Sequence, residues 1–136
     1  MQTASVEWIS EQKFLGVSPS GHATPIDADS QTNKAPSPVE LLLIALGGCT
    51  ASDMVSILQK KRQKLLSLVV ECSGERAPEP PKIWTKIDVV FKLRGTLDET
   101  AVQRSLELTR DKYCSVAAML NKCAEISWRY EIEPAP

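Results

Sequence analysis

The chain has one histidine, His22, and no two of its four cysteines form a CxxC pair. The usual spacing of a structural zinc site or a thioredoxin-type motif is therefore absent, and no metal or other cofactor is expected. Neither sign of charge is in excess. Sixteen Lys and Arg against seventeen Asp and Glu leave a formal net charge of -1, so nothing in the balance attracts nucleic acid. The longest like-charge run, Lys60-Lys61-Arg62, reads as a solvated helix end. The longest apolar run, Leu41–Leu46, falls short of a bilayer span, and no membrane partner is expected. The first residues carry Glu7 and Glu11 where a signal peptide has a basic region and an apolar core, which predicts a cytoplasmic protein. No arginine precedes Arg62.

The 136 residues contain no internal repeat, and 43% are apolar, enough for one core. A single domain over residues 1–136 is expected. Ala4–Ile9 and Lys13–Val17 pattern as a hairpin, with a short extended piece near Thr24–Asp27. Ser37-Pro38 opens a helix, since serine caps and proline suits the first turn. Glu40 completes a capping box, and the helix is expected to run to about Lys64. Leu66–Ser73 and Ile83–Leu93 read as strands. Helices are expected over Glu99–Asp111 and Cys114–Lys122, and a last strand over Ala124–Ile132. The class is α+β. Val39–Leu46 is apolar nearly all round, which one small sheet cannot cover. Burial by a second chain, in a homodimer, is the expected solution.

Two cysteines stand in distinctive settings. Cys49 follows Gly47-Gly48 inside the long helix and shares a face with Ser52, Asp53 and Ser56. Glycine in mid-helix costs about 1 kcal/mol against alanine, so a close approach to the backbone is expected there. That approach is a helix contact, or Gly48 opens space beside Cys49 for a substrate. Asp53 can orient a cationic group, although by itself it opposes thiolate formation. Cys114 opens a helix, where backbone N–H groups favour an anion and lower a thiol pKa. These cysteines are either a reactive pair or two small packed residues. Cys72 and Cys123 read as packing residues. His22 is a surface turn residue or lines a pocket, and Trp8, Trp84 and Trp128 read as core or interface anchors.

Pro38 followed by an apolar helix to Gly47-Gly48-Cys49-Thr50 and Asp53, then Tyr113-Cys114-Ser115-Val116 opening a later helix, resembles the OsmC/Ohr family. These are the osmotically inducible and organic hydroperoxide resistance proteins, and the likeness is to a divergent OsmC-like branch. The resemblance implies an intertwined α+β homodimer with long central helices and active sites at the subunit interface. It implies that Cys49 attacks a hydroperoxide and becomes a sulfenic acid. Cys114 then resolves this as a disulfide, and a dithiol reduces it. The family's peroxidases carry an arginine in the N-terminal strand region, and this chain has none there. Their glutamate stands ten residues before the first cysteine. Here Val39 holds that position, and Glu40 lies about 180° around the helix from Cys49. A rival reading is a binding protein for apolar small molecules, without turnover. An inert dimeric scaffold is a third.

Overall fold

A computed structural model describes residues 1–136, folded as two compact units, residues 1–42 and 43–136. The first unit is a three-stranded antiparallel meander of β1 (Ser5–Ser10), β2 (Lys13–Val17) and β3 (Ala23–Asp27). The expected hairpin is β1–β2, and the extended piece after it joins as the third strand. A loop then leads to Ser37. Its anchor is Asp27, a buried carboxylate that accepts the Thr32 hydroxyl at 2.6 Å and the amides of Asp29 (2.9 Å) and Lys34 (3.0 Å). These three bonds hold its pKa at about 2.

Helix α1 (Pro38–Lys60) begins in the first unit and continues into the second. Its capping box is formed in both directions. The Ser37 amide donates to Glu40 Oε1 at 2.9 Å, and the Glu40 amide donates to Ser37 Oγ at 3.3 Å. Glu40 is thus occupied as a cap, and these bonds lower its pKa. The helix ends at Lys60, four residues before the expected point. Arg62 takes φ 56°, and the amides of Arg62 and Gln63 return to the carbonyls of Gln59 and Leu58. That is a Schellman closure with arginine in the place glycine usually fills. By length and composition α1 as a whole is also apolar enough to cross a bilayer, which the six-residue run did not suggest. Core helices of globular proteins share that property.

The second unit builds a sheet in the order β4 (Lys64–Arg76), β5 (Trp84–Thr96), β6 (Glu125–Pro134). Strands β4 and β5 are antiparallel, and β6 runs parallel to β5. The alternation predicted for the second strand holds in its middle: Ile87, Val89, Phe91 and Leu93 are all buried. It fails at the start, where a register shift between Glu75 and Arg76 turns Trp84 inward. There Trp84 lies over Gly74, at which a Cβ would sit 2.7 Å from the indole. Trp128 stacks on Phe91, and Trp8 is largely exposed, so two of the three tryptophans anchor the unit.

Between β5 and β6 run α2 (Glu99–Leu108), a π-helical turn (Thr109–Tyr113) and α3 (Ser115–Leu120). The sequence suggested an unbroken helix to Asp111. The Cys114 amide instead bonds the Thr109 carbonyl five residues back, at 3.0 Å. Such turns are a recognised feature of functional sites.

Gly95, with φ 152°, closes the β4–β5 ladder where a Cβ would lie 2.1 Å from the Lys64 carbonyl oxygen. Gly95→Ala is expected to lower stability by at least about 2 kcal/mol, from the strained φ and the clash together. The thermal midpoint by circular dichroism checks this.

Candidate thiol site

The buried stripe of α1 is Leu46, Thr50, Met54 and Leu58, each one turn from the next. Thr50 is tolerated in it because its hydroxyl donates to the carbonyls of Leu46 (2.9 Å) and Gly47 (3.1 Å). Cys49 and Asp53, also one turn apart, lie beside this stripe and are half-buried. Gly47 faces β4, where a Cβ would meet Cys72 Sγ at 3.6 Å. That is ordinary contact, and a Cβ on Gly48 would meet nothing within 4 Å. Within one chain, then, neither glycine is forced by a close approach. The missing side chain at Gly48 leaves open space next to Cys49 in the chain.

Cys114 stands at the N-cap of α3 with extended backbone, and its Sγ accepts the Ala117 amide at 3.3 Å. The cap position is the one expected, but the electrostatic consequence is reversed. Cys114 is 4% exposed, and its thiol is pushed up to about 12. Burial is the largest cause. The Ala117 amide pulls the other way, and Cys49 and Asp53 add to the rise. A single amide from a six-residue helix does not offset the loss of water.

The structure brings Cys49, Asp53 and Cys114 together: the two Sγ atoms and a carboxylate oxygen all lie within 4.8 Å of one another. All four cysteines are free thiols. Burial pushes the Asp53 carboxyl up, and its Oδ2 is buried without a hydrogen-bond partner. His22 is in the first unit, in the β2–β3 turn. Its Nδ1 pairs with Ser20 Oγ at 3.0 Å and its amide donates to Ser18 Oγ at 3.1 Å, so its local partners are those of an exposed turn residue.

Two residues read as simple packing have other settings. Cys123 is exposed and donates to the Leu120 carbonyl at 3.4 Å. Cys72 lines a groove of about 420 Å³ with Leu43, Ile44, Gly47, Gly48, Ala51 and Val70. Burial raises the Cys72 pKa. The sequence placed Cys72 on a strand, but only the approach of α1 shows that it meets Gly47.

Residues 31–129 match the family model described as OsmC-like protein. The chain belongs to the OsmC-like family. Over 133 residues it is 45% identical to Protein YhfA of Escherichia coli K12, covering 97% of this chain and 98% of that protein. A hypothetical protein from Aquifex aeolicus VF5 superposes with a TM-score of 0.90 at 29% identity, covering 100% of this chain and 98% of that one. The fold also extends to an organic hydroperoxide resistance protein OsmC from Legionella pneumophila, at a TM-score of 0.68 and 12% identity over 96% of each chain. The α+β class and the OsmC-like fold expected from the sequence are those observed.

With Cys72 and Cys123 replaced by serine, Cys49→Ser is expected to leave a Cys114 that alkylates slowly at neutral pH, its rate rising throughout the alkaline range. Iodoacetamide labelling against pH, read by mass spectrometry, checks this.

Proposed function

We propose that the protein is a thiol-dependent peroxidase of the OsmC-like family, with Cys49 as the attacking thiol and Cys114 as the resolving one. The observation that carries this is the approach of the two sulfurs within 4.8 Å. Cys114, buried and pushed up to about 12, holds its proton near neutrality, which leaves Cys49, the more exposed of the two, as the first nucleophile. Its thiolate attacks a hydroperoxide. An S–O bond forms, the O–O bond breaks, and the departing alkoxide takes a proton to leave as alcohol. The Cys114 sulfur then attacks the sulfenic acid with loss of its proton, an S–S bond forms and water leaves. An external dithiol returns both cysteines to thiols.

The apolar groove lined by Gly47, Gly48 and Cys72 suits an apolar ligand, but neither Cys49 nor Cys114 lines it, and at 100° per residue it lies across the buried stripe of α1 from Cys49. The chain works as a homodimer in this reading, because α1 is apolar on faces its own chain leaves open, with Ile44 60% exposed. The setting is cytoplasmic, where free thiols persist. Gly48 gives the substrate room beside Cys49. Asp53 steadies whatever cation approaches the pair, and His22 is assigned a pocket role only in the assembled dimer.

Wild type is expected to consume an organic hydroperoxide with dithiol-dependent turnover in stopped flow, and Cys49→Ser to lose at least about a hundredfold of it. Consumption of neither organic hydroperoxide nor hydrogen peroxide by wild type retires the reading. The second reading, an apolar-ligand carrier without turnover, is favoured by the same groove and by the missing arginine. It predicts ligand binding indifferent to Cys49→Ser and Cys114→Ser. Sedimentation at micromolar protein is expected to give a dimer, and a clean monomer removes the second chain from either reading.

A further inference from the structure

The site collects three groups that bear negative charge when ionised. The Cys114 Sγ accepts the Ala117 amide, and the Cys49 Sγ and an Asp53 carboxylate oxygen both lie within 4.8 Å of it. Asp53 Oδ2 meanwhile has lost its water and gained no donor. An unpaired buried carboxylate oxygen costs free energy until something positive or donating faces it. The three donors also have a ligating arrangement. Cys49 and Asp53 are four apart on one helix face, the spacing that lets two side chains reach one ion. Cys114 comes to them from the N-cap of α3.

We propose that Cys49, Asp53 and Cys114 form a binding site for a divalent cation of the Zn²⁺ class, with two thiolates and one carboxylate as ligands and a fourth position open. Metal–sulfur bonds of about 2.3 Å and metal–oxygen bonds of about 2.1 Å place tetrahedral ligand atoms roughly 3.5–4 Å apart. The observed limit of 4.8 Å exceeds that separation by about an ångström. Two thiolates with one carboxylate select a borderline-soft ion over Mg²⁺ or Ca²⁺, which prefer oxygen alone. On binding, each thiol gives up its proton to solvent, so a dipositive ion meets three negative ligands and the site keeps one net negative charge. The ion gives Asp53 Oδ2 the partner it lacks. It also uses the lone pairs that the proposed peroxide chemistry requires, so a loaded site and a Cys49–Cys114 disulfide exclude each other. Metal binding itself needs no turnover, and it stands or falls separately from the peroxidase reading.

The test is anaerobic titration of the reduced full-length protein with Co²⁺ as optical probe, followed by displacement with Zn²⁺. One ion per chain is expected, with a thiolate-to-cobalt charge-transfer band. Cys49→Ser and Cys114→Ser are each expected to lose most of that band, whereas a Cys72→Ser, Cys123→Ser double variant keeps it. Asp53→Asn is expected to keep the band and bind at least about tenfold more weakly, with Asp53→Glu recovering part of the affinity. Protein oxidised to the disulfide binds no metal at this site. Absence of the band in wild type at millimolar Co²⁺ overturns the proposal. So does a band that survives both single serine variants, or an affinity unchanged in a folded Asp53→Asn protein.

Discussion

Helix α1 imposes the constraint on which the second unit depends. Its first half, Val39–Leu46, is apolar nearly all round, yet its own chain buries only the stripe of Leu46, Thr50, Met54 and Leu58. Burial of such side chains stabilises by about 1.5–3 kcal/mol each, so this stripe fixes how the helix sits. Once it is fixed, the rest of the helix follows at 100° per residue. Cys49 and Asp53 fall at the margin of the buried stripe, where a side chain is partly desolvated and still reachable. Gly48 faces open space. The position of the thiol is thus a by-product of core packing, and Thr50 enters that core only because its hydroxyl is satisfied within the helix.

The second constraint is that no cation of its own chain acts on the Cys114 sulfur. In thiol chemistry a cation ordinarily offsets the cost of a desolvated thiolate. Here the chain offers an amide at Cys114 and a carboxylate at Asp53, and the carboxylate acts in the wrong direction. The two cysteines are consequently unequal, one half-exposed and one deeply buried. In the proposed peroxidase reading, that inequality would divide the labour between an attacking and a resolving thiol, and it comes from burial rather than from a charged neighbour.

Features set by nearby residues were legible in the sequence. Ser37 and Glu40 announced the start of α1 because a capping box is complete within four residues. Strand β5 announced itself through the alternation of Ile87, Val89, Phe91 and Leu93. Features set by distant packing were not. The end of α1 depends on Arg62 adopting a left-handed backbone, which its side chain does not advertise. The π turn after Leu108 has the composition of an ordinary helix. Cys114 was placed correctly at a cap, but its burial comes from elements elsewhere in the chain, and burial reversed the expected direction of its pKa. The different settings of Gly47 and Gly48 were equally hidden, since only the position of β4 separates the packed one from the open one.

The segment from α2 to α3 joins two neighbouring parallel strands, so Cys114 rides on a connection tied at both ends to one sheet. Cys49 sits on the other side of a long stretch of intervening chain. A bond between them would close the whole loop from residue 49 to residue 114, taking in β4, β5 and α2. In chain-entropy terms a loop of that size restricts the unfolded ensemble by about 4 kcal/mol. If the proposed disulfide forms, redox state and resistance to unfolding would be coupled in this fold: the oxidised chain would be the harder one to unfold, and the reduced chain the one that opens more often.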